Sequence, residues 1–352
     1  MKKISKTTRS NFITYGIVII AYILAEILIS TGNLSSLMQG LLVPLCTYAI
    51  LAVSLNLTVG ILGELSLGHA GFMCVGAFSS TIFSVCMQDV ITNNGLRFFL
   101  ALLIGAVTAG LFGILIGIPV LRLRGDYLAI VTLAFGEIIK NIINALYMGR
   151  DSKGFHFSLK DTISLGMEEG GEVIIKGAQG ITGTPNDSTF TIGVILLLIT
   201  LVIVLNLIHS RAGRAIMAIR DNRIAAESVG INITKYKIMA FSISAALAGV
   251  GGVLYAHNLS TLTASSKNFG YNQSIMILVF VVLGGMGNIR GSVIAAVVLT
   301  LLPELLRGLV DYRMLIYSIV LIAMMIFNWS PKIKVWRESH PLFHKKHKGE
   351  EA

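Results

Sequence analysis

The sequence predicts an all-α, polytopic transmembrane helical bundle, and three observations carry this prediction. Only 13% of the 352 residues are charged, against about 25% in an average soluble protein. Hydrophobic residues make up 54% of the chain, and its mean hydropathy is +0.78. Apolar runs of about 20 residues, each long enough to cross a bilayer, recur along the chain. Together these features exclude an ordinary soluble enzyme, a secreted disulfide scaffold and a disordered protein.

We predict eight to ten membrane spans from these runs. The first follows a basic N-terminus and imitates a signal peptide, but it is too long for one and has no A-x-A-like cleavage site, which favours a retained helix. The eighth is short and ends in the glycine-rich segment 284–291, so a half-helix or re-entrant segment is an alternative there. The candidate spans are 12–31, 37–61, 66–87, 97–121, 126–148, 189–209, 238–257, 273–287, 291–308 and 313–329.

The distribution of basic residues predicts the orientation. With the N-terminus inside, 19 of the 28 Lys and Arg residues fall on the cytoplasmic side, as the positive-inside rule requires. Both termini are therefore expected in the cytoplasm. The predicted parts are an N-terminal segment 1–11, a membrane domain 12–329 with an external loop 149–188 and a cytoplasmic loop 210–237, and a basic tail 330–352. The external loop suits either a folded docking segment or an idle linker.

Small residues recur at four-residue spacing on three spans, which predicts close helix contacts within the bundle or with a partner subunit. These stripes are Gly105, Ala109, Gly113 and Gly117, then Gly76, Ser80 and Ser84, and Ala248, Gly252 and Ala256 beside Ala245 and Gly249.

The motifs of several enzyme classes are missing from the sequence. It contains no G-x-x-x-x-G-K-[ST] phosphate loop, no H-E-x-x-H zinc motif and no G-x-S-x-G nucleophile elbow. We therefore predict no catalytic residue, no metal site and no cofactor in this chain. Cys46, Cys74 and Cys86 are interpreted as packing residues because an odd count at irregular spacing forms no disulfide framework.

Ionisable residues inside the predicted spans are functional candidates by default. Glu137 with Lys140, and Glu304 with Arg307, stand three residues apart and are expected to form structural pairs. Glu26 and Glu64 have no neighbouring cation in the sequence. They are the only candidates for a proton relay.

The 210–237 loop is basic and carries helical character that ends at Gly230, where a left-handed glycine can close a helix. It resembles the cytoplasmic loop of permease subunits from ATP-binding-cassette importers, whose pattern E-A-A-x-x-x-G forms a coupling helix against an ATPase subunit. Both alanines and the glycine match, while Ile224 replaces the leading glutamate. The resemblance implies that the ATPase contacts are made by Arg220, Asp221, Ala225, Ala226, Glu227 and Gly230.

Four further segments in the expected order resemble the branched-chain amino acid permeases of the LivM type. They are 54–72, 121–138, 176–181 and 284–291. The resemblance implies a permease subunit without its own ATPase site, located in a bacterial cytoplasmic membrane. It also implies a second, related permease, two ATPase subunits that bind ATP and Mg²⁺, and an extracytoplasmic binding protein as partners; no nucleic acid is expected. The substrates would be leucine, isoleucine and valine.

Alternatives stay open at the level of substrate and energy source. Related permeases move urea, other amides or nucleosides, and a secondary carrier driven by protons or sodium would need no ATPase. A membrane-embedded enzyme would need a clustered nucleophile or metal site, and none is visible in the sequence.

The predicted translocation path lies at the junction of spans two and three. Glycines allow a helix to break at membrane depth, and such exposed backbone is tolerated where it lines a cavity or is buried in protein. An alternative is that the glycines only permit tight packing. The predicted path residues are Asn56, Ser66, Gly68, His69 and Gly71.

Overall fold

The computed structural model describes residues 6–32, 35–123, 125–151, 154–168, 170–306 and eight positions between 315 and 326. The chain divides into two compact units, Met1–Val297 and Val298–Ala352, and the contacts described below belong to the first unit. In the second unit the apolar side chains of Leu315, Ile319, Ile322 and Ile326 are exposed. The predicted basic tail 330–352 lies outside the described residues.

Seven helices in the described part of the chain are long and apolar enough to cross a membrane. Most of the helix that begins at Ser36 is surrounded by other helices, whereas the N-terminal helix exposes most of its apolar side chains. The helices are α1 (Lys6–Ser30), α2 (Ser36–Asn56), α3 (His69–Cys86), α4 (Asn94–Val120), α5 (Asp126–Ala145), α6 (Phe190–His209), α7 (Arg211–Asp221), α8 (Arg223–Ser228), α9 (Ile233–Ala256), α10 (Ser266–Phe269), α11 (Tyr271–Gly284) and α12 (Ile289–Leu305).

Nine of the ten predicted spans coincide with helices, and their ends are shifted by up to six residues. The eighth is as short as expected, because α11 has 14 residues and is about 21 Å long, less than the ~30 Å hydrocarbon core. The 17 residues of α12 reach about 26 Å, which is also short of a full crossing. The tenth candidate span, 313–329, lies largely outside the described residues.

The predicted small-residue stripes are confirmed as helix contacts within the chain. A Cβ atom added at Gly76 of α3 would lie 2.4 Å from the Cα of Gly249 in α9. One added at Gly249 would lie 2.5 Å from the Cβ of Ala109 in α4, and one at Gly113 would lie 2.6 Å from the Cβ of Ala245. Because these neighbours are mostly backbone or Cβ atoms, α3, α4 and α9 approach closely only through residues without bulk.

The loop 149–188 is folded. It contributes to a three-stranded antiparallel sheet that begins two residues after α5. Within the loop, Ser164 donates hydrogen bonds from its hydroxyl and its backbone N–H to the carboxylate of Asp161, and these bonds lower the pKa of that carboxyl. A two-stranded pair then ties the loop to the segment after α9. The bundle is all-α as predicted, and the short strands are an addition that the sequence analysis does not foresee. They are β1 (Tyr147–Asp151), β2 (Gly154–Ser158), β3 (Glu172–Lys176), β4 (Ile181–Thr182) and β5 (Thr261–Leu262).

Candidate functional site

The helical character that the sequence predicts for the 210–237 loop takes the form of two short helices, α7 and α8. The side chain of Ser210 accepts a hydrogen bond from the Gly213 N–H at 3.1 Å and begins α7. Asn222 interrupts the helix and caps the next one, because its side chain accepts from the Ala225 N–H at 3.1 Å. Such caps satisfy N–H groups that have no partner within the helix. The loop is therefore a folded element and not a flexible linker.

Gly230 ends this folded element in the left-handed conformation, as predicted. Its φ is +84°, and no atom lies within 4 Å of the position that a Cβ would take. The next residue, Ile231, donates its N–H to the carbonyl of Ala226 at 3.1 Å. The requirement for glycine is thus conformational and not steric.

The residues that the sequence assigns to ATPase contact differ in their exposure. Ala226 is buried with Ile219 and Ile233, so it supports the loop from inside and offers no surface to a partner. The α8 region also exposes two large apolar side chains that the sequence analysis does not select, Ile224 at 81% and Val229 at 75%. Five of the six residues assigned to ATPase contact are exposed: Arg220, Asp221, Ala225, Glu227 and Gly230.

Arg220 turns towards the membrane domain. Its Nη1 donates a hydrogen bond to the carbonyl oxygen of Gly60 at 3.0 Å, and its Nε and Nη2 donate to Asp221 at 3.1 and 2.9 Å. Gly60 belongs to a π-helical turn, Leu57–Leu62, that continues α2. The loop is therefore joined directly to the π-turn that lies between Asn56 and Ser66, by a residue that the sequence assigns to an ATPase contact.

Asn56 stands at the start of this π-turn and is fully buried. Its side-chain nitrogen donates to the hydroxyl of Ser292 at 2.8 Å, and its side-chain oxygen accepts from the Gly287 N–H at 2.8 Å. The amide thus bridges the π-turn to the glycine-rich segment 284–291 and to α12. The sequence points to Asn56 and to that segment separately, but it contains no signal that the two meet.

The segment from Gly63 to Gly68 is not helical; it contains the predicted path residues Ser66 and Gly68, and His69 follows it. Ser66 is 1% exposed, and its hydroxyl has no hydrogen-bond partner among the described residues. The His69 Nε2 lies 2.6 Å from the hydroxyl of Ser54. Both side chains are buried polar groups, and such burial is costly unless the groups are used or paired.

Gly68 and Gly71 serve close packing in this structure. A Cβ on Gly68 would lie 2.2 Å from the carbonyl oxygen of Thr132, and one on Gly71 would lie 2.7 Å from the Cα of Gly136. Both contacts join the start of α3 to the backbone of α5. The packing alternative therefore accounts for these two glycines without a role in a path.

Glu64 has a cationic partner that the sequence does not reveal. It forms an ion pair with Lys237 of α9, and the two side chains are only 15% and 7% exposed. The expectation that Glu64 stands free of cations, as a proton relay would require, is therefore wrong. The partner lies 173 positions further along the chain, beyond the reach of any local pattern.

The predicted pair of Glu137 and Lys140 is confirmed, with Nζ and Oε2 2.5 Å apart. Lys140 also donates to the hydroxyl of Ser266 at 3.0 Å, and Glu137 accepts from the Tyr271 N–H at 2.7 Å. These bonds attach α5 to the beginning of α10 and α11, so the pair is structural. In the second predicted pair, Arg307 lies outside the described residues.

Within the described ranges, no group of three His, Cys, Asp or Glu side chains is placed to hold a metal ion. Cys46, Cys74 and Cys86 are buried free thiols. What the site offers chemically is a set of hydrogen-bonded connections between an exposed loop and a buried helix break.

Comparison with known proteins gives one family. Residues 37–328 match the permease component of the branched-chain amino acid transport system. The high-affinity branched-chain amino acid transport system permease protein LivM of Salmonella typhimurium is 34% identical over 314 residues, 87% of this chain and 72% of that protein. LivM of Escherichia coli K12 is 34% identical over 315 residues, with the same shares. LivH of Escherichia coli K12 is 22% identical over 258 residues, 72% of this chain and 79% of that protein. No solved structure matches the chain.

Proposed function

Because the chain belongs to the family of branched-chain amino acid transport permeases, we propose that it is a translocating subunit of an ATP-binding-cassette importer for leucine, isoleucine and valine. It would be a multi-pass protein of a bacterial cytoplasmic membrane with both termini inside. Separate ATPase subunits would supply the energy and bind ATP and Mg²⁺, and an extracytoplasmic binding protein would deliver the substrate. The similarity to LivH supports a second, related permease as partner.

One observation on the molecule carries the proposal beyond family membership, and it is the exposed apolar surface of the 210–237 loop. Ile224 and Val229 are exposed on a capped, folded element that begins directly after α6 and ends directly before α9. Exposed apolar side chains on an ordered surface between charged residues are typical of a protein docking site. An ATPase subunit docked there would lie beside the cytoplasmic ends of both helices.

The substrate and energy source are tested by reconstitution. The chain is purified with the second permease, the ATPase subunits and the binding protein, and is placed in vesicles that contain ATP. We expect uptake of labelled leucine that requires ATP and the binding protein, with no uptake of urea or adenosine. Uptake that follows an imposed proton or sodium gradient without ATP would overturn the proposal.

The docking surface is tested with two matched substitutions. Ile224→Asp places a charge on the exposed side chain of α8, and Ile163→Asp does the same at an 88% exposed isoleucine of the 149–188 loop. We expect the first variant to lose copurifying ATPase and the second to retain it. Equal retention by the two variants would contradict docking at α8.

The alternatives lose support. The relatives named above are branched-chain amino acid permeases, which favours these substrates over urea, amides or nucleosides. The ion pair of Glu64 with Lys237 removes one of the two relay candidates on which a proton-coupled carrier would depend.

A further inference from the structure

The last carbonyl groups of the π-turn need hydrogen-bond donors from outside the helix. The turn ends at Leu62, and Gly63 follows in the left-handed conformation with a φ of +80°. A helix leaves its final carbonyls without N–H partners, and a cation at this end also interacts favourably with the helix dipole. Arg220 supplies such a donor to Gly60, across 160 positions of sequence.

The contact depends on two glycines. A Cβ on Gly63 would lie 2.6 Å from the Cγ of Arg220, so the aliphatic part of the arginine lies directly against that backbone. A Cβ on Gly60 would lie 1.9 Å from the side-chain oxygen of Asn56 and 2.2 Å from the backbone nitrogen of Gly287. The π-turn is thus in contact with the loop on one side and with the 284–291 segment on the other.

Asp221 orients the guanidinium, because its carboxylate accepts from both Nε and Nη2 and leaves Nη1 directed at Gly60. A cavity of about 190 Å³ lies beside this contact, lined in part by Gly63, Arg220, Arg223 and Lys237. The guanidinium is therefore held by a loop residue on one side and by the π-turn backbone on the other, which is the arrangement that a fastening contact requires.

We propose that Arg220 is a positioning residue that fastens the 210–237 loop to the π-turn, so that movement of the loop reaches Asn56 and the 284–291 segment. The inference rests on the proposed function, in which an ATPase moves this loop. The route runs from Arg220 to the Gly60 carbonyl, along the backbone of the π-turn to Asn56, and from the Asn56 amide to Gly287 and Ser292. Arg220 on this reading acts within the chain and is not an ATPase contact.

The test compares Arg220→Gln with Arg214→Gln in the assembled, reconstituted transporter. Arg214 lies on the same helix and is exposed, and among the described residues its guanidinium donates to the nearby carbonyl of His209, at 3.2 Å. The measurements are the amount of copurifying ATPase, the rate of ATP hydrolysis and the leucine uptake per ATP hydrolysed. The last ratio does not depend on how much protein is made.

We expect Arg220→Gln to retain its ATPase and to hydrolyse ATP, while uptake per ATP falls about tenfold, the scale of one lost charged hydrogen bond. Arg214→Gln should keep the wild-type ratio. Loss of the ATPase from Arg220→Gln alone would overturn the proposal in favour of a direct contact, and an unchanged ratio would overturn it as well. Failure of the unmodified chain to retain any ATPase would instead refute the proposed function.

Discussion

The ion pair between Glu64 and Lys237 allows a prediction that separates a structural carboxylate from a proton relay. Glu64→Gln removes the negative charge and keeps nearly the same volume. Lys237, whose side chain is 7% exposed, is then left without its partner. A buried charge that loses its counter-charge is destabilising.

The expected cost follows from this burial. Breaking a buried pair costs about 3–5 kcal/mol, and the 15% exposure of Glu64 places the pair near the lower end. We therefore expect Glu64→Gln to lower the free energy of unfolding by about 3 kcal/mol. At roughly 2 °C per kcal/mol for a chain of this size, the apparent melting temperature should fall by about 6 °C. Lys237→Gln should cost a similar amount, and the double variant should cost less than the two single changes together.

Three native thiols provide the assay. Cys46, Cys74 and Cys86 are buried and free, so a thiol-reactive fluorescent dye labels them as the detergent-solubilised protein unfolds. Asp89→Asn serves as the control, because Asp89 is exposed in the turn after α3. Additive losses in the single and double variants would refute the pairing. A fully stable Glu64→Gln that has lost transport would refute the structural role and restore Glu64 as a relay candidate.

Three further predictions concern single positions. Gly76→Ala should lower the melting temperature by a few degrees, since its Cβ meets the Gly249 backbone; Gly40→Ala, which meets nothing within 4 Å, should not. Gly230→Ala should cost about 1 kcal/mol in the left-handed conformation, seen as faster hydrogen exchange of residues 222–231 and unchanged exchange in α9. Ser66→Ala should leave the melting temperature unchanged, since its hydroxyl has no described partner, but reduce uptake roughly threefold; unaltered uptake would remove Ser66 from the path.

Patterns of short range made the fold predictable. Nine candidate spans coincide with helices because an apolar run of about 20 residues has few other solutions in lipid. The stripe of Gly105, Ala109 and Gly113 predicted a contact face because four-residue spacing repeats on one side of a helix. The small sheet after α5 escaped prediction because its strands have five residues or fewer and lie in a polar loop.

The candidate site was predictable only in part, because several of its contacts join residues that are far apart in the sequence. The left-handed Gly230 follows from local rules of helix ends and is confirmed. The partner of Glu64 and the donor to Gly60 lie 173 and 160 positions away, and no spacing rule connects residues so far apart. Ala226 was expected at a surface because the resemblance gives residue types at positions and contains no information on which side of α8 is buried.

The glycines at the helix break change how a translocation path can be tested. Gly60, Gly63 and Gly68 each leave less than 3.0 Å between a virtual Cβ and a neighbouring atom, so a side chain at any of them would displace the packing. Loss of transport after Gly68→Leu would therefore follow from either a blocked path or a separated helix pair, and cannot distinguish them. By contrast, the side chains of Arg220 and Asn56, which lie against Gly63 and Gly60, can be shortened without adding atoms to the packed region. Substitutions of Arg220 and Asn56, and not of the glycines, can therefore separate a loss of transmitted loop movement from a loss of helix packing.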